Sequence, residues 1–317
     1  MRYLGVLTTE EYRKLGQERR LLGPRVAYNL LDVGSSPSRE DVEVFEDICF
    51  TLRLSNGTYR TSFRNRFQDV NALVDQVLAE LFDADQPLMI QDRAVSHALT
   101  SLEWAQAILA RFPAAQVEAS DLTLHLLEVT AADGTRYIAE PDGTFLQAIL
   151  PPFVVSLYHP EALRYPLHRL VASRAKKRLA ALQLPKGWAQ QNAPKGVQVK
   201  KISLVHPEAR AFAEQDGRFC VVWRSVFDRD PASCNVLRTV NILNRAYFSE
   251  QELIGGIDAA FLSLREGGVW IVGRTTEEDL KNHVTLFRRG TDRWEVLARA
   301  GNGTELEDLI LGWRVSG

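Results

Sequence analysis

The chain has 317 residues, 45% of them hydrophobic and 25% charged, with a net charge of -2. That length and composition suit a globular chain able to bury a large core. The near-neutral balance gives no global pull toward nucleic acid or a membrane surface. Three scattered cysteines, Cys49, Cys220 and Cys234, form no CxxC pair. They argue against structural zinc and a disulfide framework, and point to a reducing, cytoplasmic setting. No apolar run reaches the ~20 residues that a membrane helix needs. The opening MRYLGVLTTEEYRKL turns charged after seven residues, so no signal peptide is expected.

In chain order, Thr8-Thr9-Glu10-Glu11 reads as a capped helix start. Residues 42–54 and 58–63 flank Ser55-Asn56-Gly57 and read as a β-hairpin. Residues 69–82 carry Val70, Leu73, Val74, Val77, Leu78 and Leu81 at helical spacing. Residues 1–85 are thus an N-terminal α+β appendage, hairpin plus helix.

From residue 86 to 317, short apolar runs alternate with helices. Strands are expected at 88–91, 116–120, 219–227, 234–243 and 268–273. Helices are expected at 100–111, capped by Thr100, and at 249–265, ended by Gly267-Gly268. This alternation predicts an α/β fold with a mainly parallel sheet covered on both faces. Residues 283–289 and 293–299, joined by Gly290-Thr291-Asp292, add an antiparallel edge. Residues 123–195 interrupt the pattern as a large insertion. It holds a hairpin turning at Asp133-Gly134, a Pro-rich segment and a basic helix around residues 172–184. Such an insertion serves as a lid, a partner surface or a structural elaboration.

Residues 88–105, LMIQDRAVSHALTSLEWA, carry the functional argument. A strand ends in Asp92, six residues follow, and a helix begins near Thr100. The segment resembles motif I of the class I S-adenosylmethionine (SAM) methyltransferases, D-x-G-x-x-x-G-x-x-S-x-E-x-A. Asp92, Ala94, Ala98, Ser101, Glu103 and Ala105 fall in its defined places without a gap. The resemblance implies that Asp92, Ala94, Ser96, Ala98 and Glu103 cradle the methionine part of SAM. Both glycines of the pattern are alanine here, so this cofactor loop is degenerate. Either the loop has shifted, or the pocket is narrowed, or SAM is not the ligand. His97 reads as a solvent-facing loop residue.

Asp121, ending the second strand, matches the acidic residue that binds the ribose hydroxyls in that family. Residues 198–205 followed by 207–214 form a rival second strand and helix. Ser225 aligns where the family places an adenine-binding aspartate, and Asp228 substitutes only if the chain turns back. Residues 237–249, LRTVNILNRAYFS, resemble the R-N-V-L-x-Y-F segment of chemotaxis-receptor-type methyltransferases, with Arg238 displaced. The sequence LREGG at 264–268 fits the same family. The resemblance places Asn241, Asn244 and Tyr247 beside the methyl acceptor; a strand-end cap and a core tyrosine are the structural alternative.

Residues 29–38, NLLDVGSSPS, also look like motif I, but no apolar helix is expected after them, so they read as a decoy. The six histidines, at 97, 125, 159, 168, 206 and 283, show no HxH or HxxxH spacing, so no metal site is expected. GxSxG and GxxxxGK[ST] are absent, which sets aside a hydrolase elbow and a P-loop. The basic run at 174–178 reads as a solvated helix face.

Two function classes follow. The first is a SAM-dependent methyltransferase acting on a small molecule, or related SAM chemistry such as cyclisation or aminocarboxypropyl transfer. The second is a catalytically inactive methyltransferase-like binding or scaffolding protein. A small-molecule acceptor or a protein partner is expected, with a dimer left open and neither nucleic acid nor membrane.

Overall fold

The computed structural model describes residues 8–15, 26–34, 36–158, 166–185, 187–190, 196–276 and 278–315. His159 and the end of the Pro-rich segment lie outside them. The chain divides into two compact units, residues 1–63 with 123–207, and residues 64–122 with 208–317.

The first unit opens with α1 (Thr9–Arg13), closed by a Thr8–Glu11 capping box. A 3-10 turn at Tyr28–Leu31 follows, then α2 (Arg39–Thr51). The expected strand at 42–54 is therefore a helix for most of its length. Its apolar residues are β-prone one by one, but Val44, Phe45, Ile48 and Cys49 recur at helical spacing and are buried. Ser38 and Asp41 cap the start reciprocally, satisfying N–H groups that a strand would have paired elsewhere. The Asn56-Gly57 turn survives with a single bridge, Arg53 to Tyr59.

α2 also shows that a helix does follow residues 29–38. What precedes them is a 3-10 turn, not a strand of a parallel sheet. Asp32 ion-pairs with Lys200.

The unit's sheet is antiparallel, in the order β6-β5-β4-β3-β7. Its strands are β3 (His125–Ala131), β4 (Arg136–Ala139), β5 (Phe145–Leu150), β6 (Phe153–Ser156) and β7 (Val197–Ser203). The 198–205 run thus joins this sheet beside β3 and is not the second parallel strand. One face packs α1, α2 and the 3-10 turn around Leu126, Ile138 and Ile202. The other packs α5 (Pro166–Ala181) around Val129, Tyr137 and Ala148.

The second unit holds a sheet whose five parallel strands are β1 (Met89–Arg93), β2 (Gln116–Asp121), β8 (Phe219–Trp223), β9 (Cys234–Val240) and β10 (Leu264–Thr275). β11 (Asn282–Arg289) and β12 (Trp294–Ala300) form the antiparallel edge. The order is β12-β11-β10-β9-β1-β2-β8. α3 (Gln68–Leu81) and α4 (Leu99–Arg111) precede β1 and β2. α6 (Pro207–Gln215) leads into β8, α7 (Glu250–Ser263) joins β9 to β10, and α8 (Glu307–Gly312) follows β12. α7 and α8 pack on one sheet face around Leu237 and Trp270. Arg238, one residue along β9, turns to the opposite face and meets α3 at Asn71 and α4 at Trp104. The fold is therefore α/β and Rossmann-like, mainly parallel, with an antiparallel edge.

Gly267-Gly268 do not end α7, which stops at Ser263. They lie in a bulge of β10 between Leu264 and Val269. A Cβ on Gly268 would stand 2.8 Å from the carbonyl oxygens of Arg265 and Asn235, so the bulge needs glycine there. Among the described residues, no helix is long and apolar enough to cross a membrane.

Candidate functional site

Counted by chain order, the parallel strands run third, second, first, fourth, fifth across the sheet. The order reverses between β1 and β9, and in open α/β sheets the crevice at such a reversal takes ligands at the strands' carboxyl ends. The loop leaving β1 there is unusual. Ala94, Ser96 and Ala98 have φ of 63°, 59° and 64°, left-handed values that side chains other than glycine's disfavour by about 1–2 kcal/mol each. Asn241, across the reversal at the end of β9, has φ 65°. The loop is held by its neighbours. Val95 N–H donates to Ser120 O (3.1 Å) and Ala98 N–H to Val95 O (2.9 Å). Ser96 N–H donates to Asp121 Oδ2 (2.8 Å).

Ala98 is the N-cap of α4, without a side-chain cap. Thr100 therefore lies inside the helix and does not cap it; the left-handed turn at Ala98 starts the helix one residue earlier. The Ala98 methyl is fully buried. His97 is fully buried too, which corrects its reading as a solvent-facing residue.

Asp92 is committed within the protein. Its carboxylate accepts from Arg238 Nε (2.9 Å) and Nη2 (2.5 Å) and from Ser101 Oγ (2.5 Å). Arg238 also donates to Asn71 Oδ1 (3.0 Å) and Thr100 O (3.3 Å). Its Cζ stands 4.1 Å from the Trp104 ring centroid. The pair is 2% and 5% exposed at its side chains, so it forms the floor below the loop.

The remaining candidates divide. Glu103 accepts Asn65 N–H at 3.0 Å. Asp121 closes the loop through Ser96, and its register partner on β8 is Trp223, 68% exposed; Leu122, next in the chain after Asp121, is half exposed. Ser225 N–H donates to Asp228 Oδ2 (2.9 Å), while Asp228 N–H returns to Ser225 O (3.2 Å), so the chain does turn back here. Asn241 Oδ1 accepts Thr275 N–H (2.7 Å). Asn244 is buried, accepting Ala246 N–H and Tyr247 N–H and donating to Ile242 O. Tyr247 is about half exposed.

The structure thus joins the loop to Asp121 and ties Asn241 to the end of β10, while Asn244 organises its own turn. Sequence reasoning missed Arg238, Asn71 and Trp104 as the floor, and Trp223 at the edge. Among the described residues, no cluster of His, Cys, Asp or Glu is arranged to hold a metal ion.

No protein family's sequence profile matches the chain, and no curated protein matches it. Solved structures similar to it include methyltransferases. One is the CMeT domain of the citrinin polyketide synthase, at 11% identity and TM-score 0.35, covering 76% of this chain and 41% of that one. Another is an O-methyltransferase family protein from Burkholderia thailandensis, at 14% identity and TM-score 0.31, covering 76% and 43%. A third is the 1,6-didemethyltoxoflavin-N1-methyltransferase of the same organism, solved with 1,6-didemethyltoxoflavin and S-adenosylhomocysteine, at 10% identity and TM-score 0.34, covering 77% and 63%. This chain spans less than half the length of the first two. At such values the fold assignment rests on the strand order itself.

Proposed function

We propose that the carboxyl edge of the parallel sheet binds SAM and that the protein is a SAM-dependent methyltransferase-like transferase with a small-molecule acceptor. The observation that carries this reading is the left-handed repeat at Ala94, Ser96 and Ala98 at the strand-order reversal. Strain of this kind persists where surrounding structure over-determines it, and it clusters at ligand clamps. The loop carries alanine and serine on a backbone that glycine would favour. Because the Ala98 methyl points into the core, it takes no ligand volume. Ala94 and Ser96 border the methionine part of the cofactor in this reading, and Asp121 takes the ribose hydroxyls. Leu122 and Trp223 offer apolar surface for the base, next to Ser225. Asp92 supports the loop from beneath, and Glu103 ties α4 to the Asn65 backbone. Tyr247, half exposed, borders the acceptor, while Asn241 and Asn244 hold the turns after β9 that shape that side of the site; SAM, when bound, would supply the methyl group, and catalysis would rest on aligning acceptor and methyl group.

One observation favours a second reading, a methyltransferase-like binding or scaffolding protein without cofactor. The Asp92 carboxylate is committed to Arg238 and Ser101 through three hydrogen bonds. Isothermal titration with SAM and S-adenosylhomocysteine separates the two. Micromolar binding that Asp121→Ala weakens about tenfold or more supports the cofactor site. No heat at millimolar ligand sinks it and leaves the scaffold.

A further inference from the structure

The antiparallel unit contains a cavity of its own, about 380 Å³ in volume, within the size range of small-ligand sites. Among its lining residues are Tyr28, Arg53, Leu146, Gln147, Ser156 and Tyr158, and none of the described lining residues is a carboxylate. Its walls are built in advance of any ligand. Gln147, 1% exposed, accepts Tyr28 N–H at 3.0 Å and donates to Val26 O at 2.8 Å. This single amide fixes the segment carrying Tyr28 against β5. Arg53 Nε donates to Gly57 O at 3.2 Å, and its Cζ stands 5.2 Å from the Tyr59 ring centroid. The Asn56-Gly57 turn thus holds the guanidinium in one orientation at the cavity wall. Ser55 anchors the same turn by donating its N–H to Glu140 (3.0 Å) and its hydroxyl to the same carboxylate. Burial pushes the Tyr28 phenol upward, so it stays neutral and adds no negative charge.

One oriented guanidinium, two phenol side chains and leucine walls define a narrow chemistry. A planar fork of donors matches a carboxylate, and tyrosine and leucine surfaces suit a flat apolar body. We propose that this cavity binds a small aromatic carboxylate, its anionic group on Arg53 and its ring against Tyr28 and Tyr158. The site is made entirely by the antiparallel unit, and it stands or falls independently of SAM binding.

The test is isothermal titration of the full chain with benzoate and with benzamide, its neutral counterpart. Benzoate should bind about tenfold or more tightly than benzamide. Arg53→Gln should remove that preference, leaving benzamide affinity unchanged. Equal affinity of the two probes, unchanged benzoate binding by Arg53→Gln, or no benzoate heat at about 10 mM overturns the proposal. If Arg53→Gln fails to fold, as read by circular dichroism, Tyr158→Ala decides. Tyr158 is half exposed at the rim, and its truncation should weaken both probes several-fold. Unaltered binding by that variant removes the aromatic wall, and with it the proposal.

Discussion

Asp92 and Arg93 are neighbours on β1, yet the pleat sends them to opposite faces of the sheet. Each face buries a guanidinium, and the two are satisfied differently. On the Asp92 face, Arg238 has a carboxylate, the Asn71 amide, a carbonyl and the Trp104 ring. On the other face Arg93, 1% exposed, donates to neutral oxygens: Gln91 Oε1 (2.6 Å), Asp228 O (2.7 Å) and Ser263 Oγ (3.0 Å). The first arrangement couples two opposite charges, so each depends on the other. The second disperses one charge over several dipoles, so no single partner is indispensable. The coupled pair lies directly below the strained loop, which makes the loop's floor the more brittle of the two regions.

The largest effect should follow from Asp92→Ala. It strands a buried guanidinium and should cost about 3–5 kcal/mol in urea-denaturation stability. A loss below about 1 kcal/mol would mean that Asn71 and Trp104 suffice for Arg238, and the contrast between the faces would collapse. The double variant Asp92→Ala/Arg238→Met tests the coupling, since it removes both charges at once. It should recover most of the single variant's loss, and strict additivity in the cycle would break the idea.

Arg93→Met should cost less, about 2 kcal/mol, because it removes the charge along with its hydrogen bonds. Ser263→Ala, deleting one of its three partners, should cost about 1 kcal/mol. A loss from Ser263→Ala as large as that from Asp92→Ala would show that the second face is as tightly coupled as the first.

Ala94→Gly should stabilise by up to about 1 kcal/mol, since glycine takes φ near 63° without a Cβ conflict. A lower melting temperature would instead show that the Ala94 methyl is itself packed.

Thiol chemistry gives the smallest readout. Burial pushes the Cys234 thiol up to about 12, against a weaker opposing pull from Arg93, and the Cys49 thiol likewise up to about 12. A raised pKa keeps a thiol protonated and unreactive at neutral pH. Iodoacetamide at pH 8 should therefore modify Cys220, the exposed cysteine, with Cys49 and Cys234 labelled only on unfolding. Peptide mass mapping reads the result. Native-state labelling of Cys234 would show that the Arg93 face opens.

Much of the parallel unit was legible because its signals are local. β1, β2, β9, α7 and the β11–β12 edge each announce themselves by apolar period and by punctuation such as Gly290-Thr291-Asp292. The strand, loop and helix around residues 92–98 were legible, but the loop's geometry was not. Alanine in a motif position does not say whether the backbone has moved away or has stayed left-handed under strain. α2 was read as strand because its residues are β-prone individually; the deciding information was the Ser38–Asp41 cap and the buried helical stripe. Asn244 and Tyr247 lie in one segment, but only the fold shows one side chain buried in its own turn and the other half exposed.

By itself, the sequence determined an α/β chain with a strand–loop–helix unit at 88–111, an antiparallel edge and a long interruption after residue 122. Those features follow from the periods of helix and strand, which a window of about a dozen residues contains. Only the tertiary structure decided that the N-terminal segment and residues 123–207 make one unit, that residues 197–203 pair with β3, and that Asp92 meets Arg238, 146 positions away. Such partners are set by strand order and register, which depend on packing across the whole chain and leave no local trace.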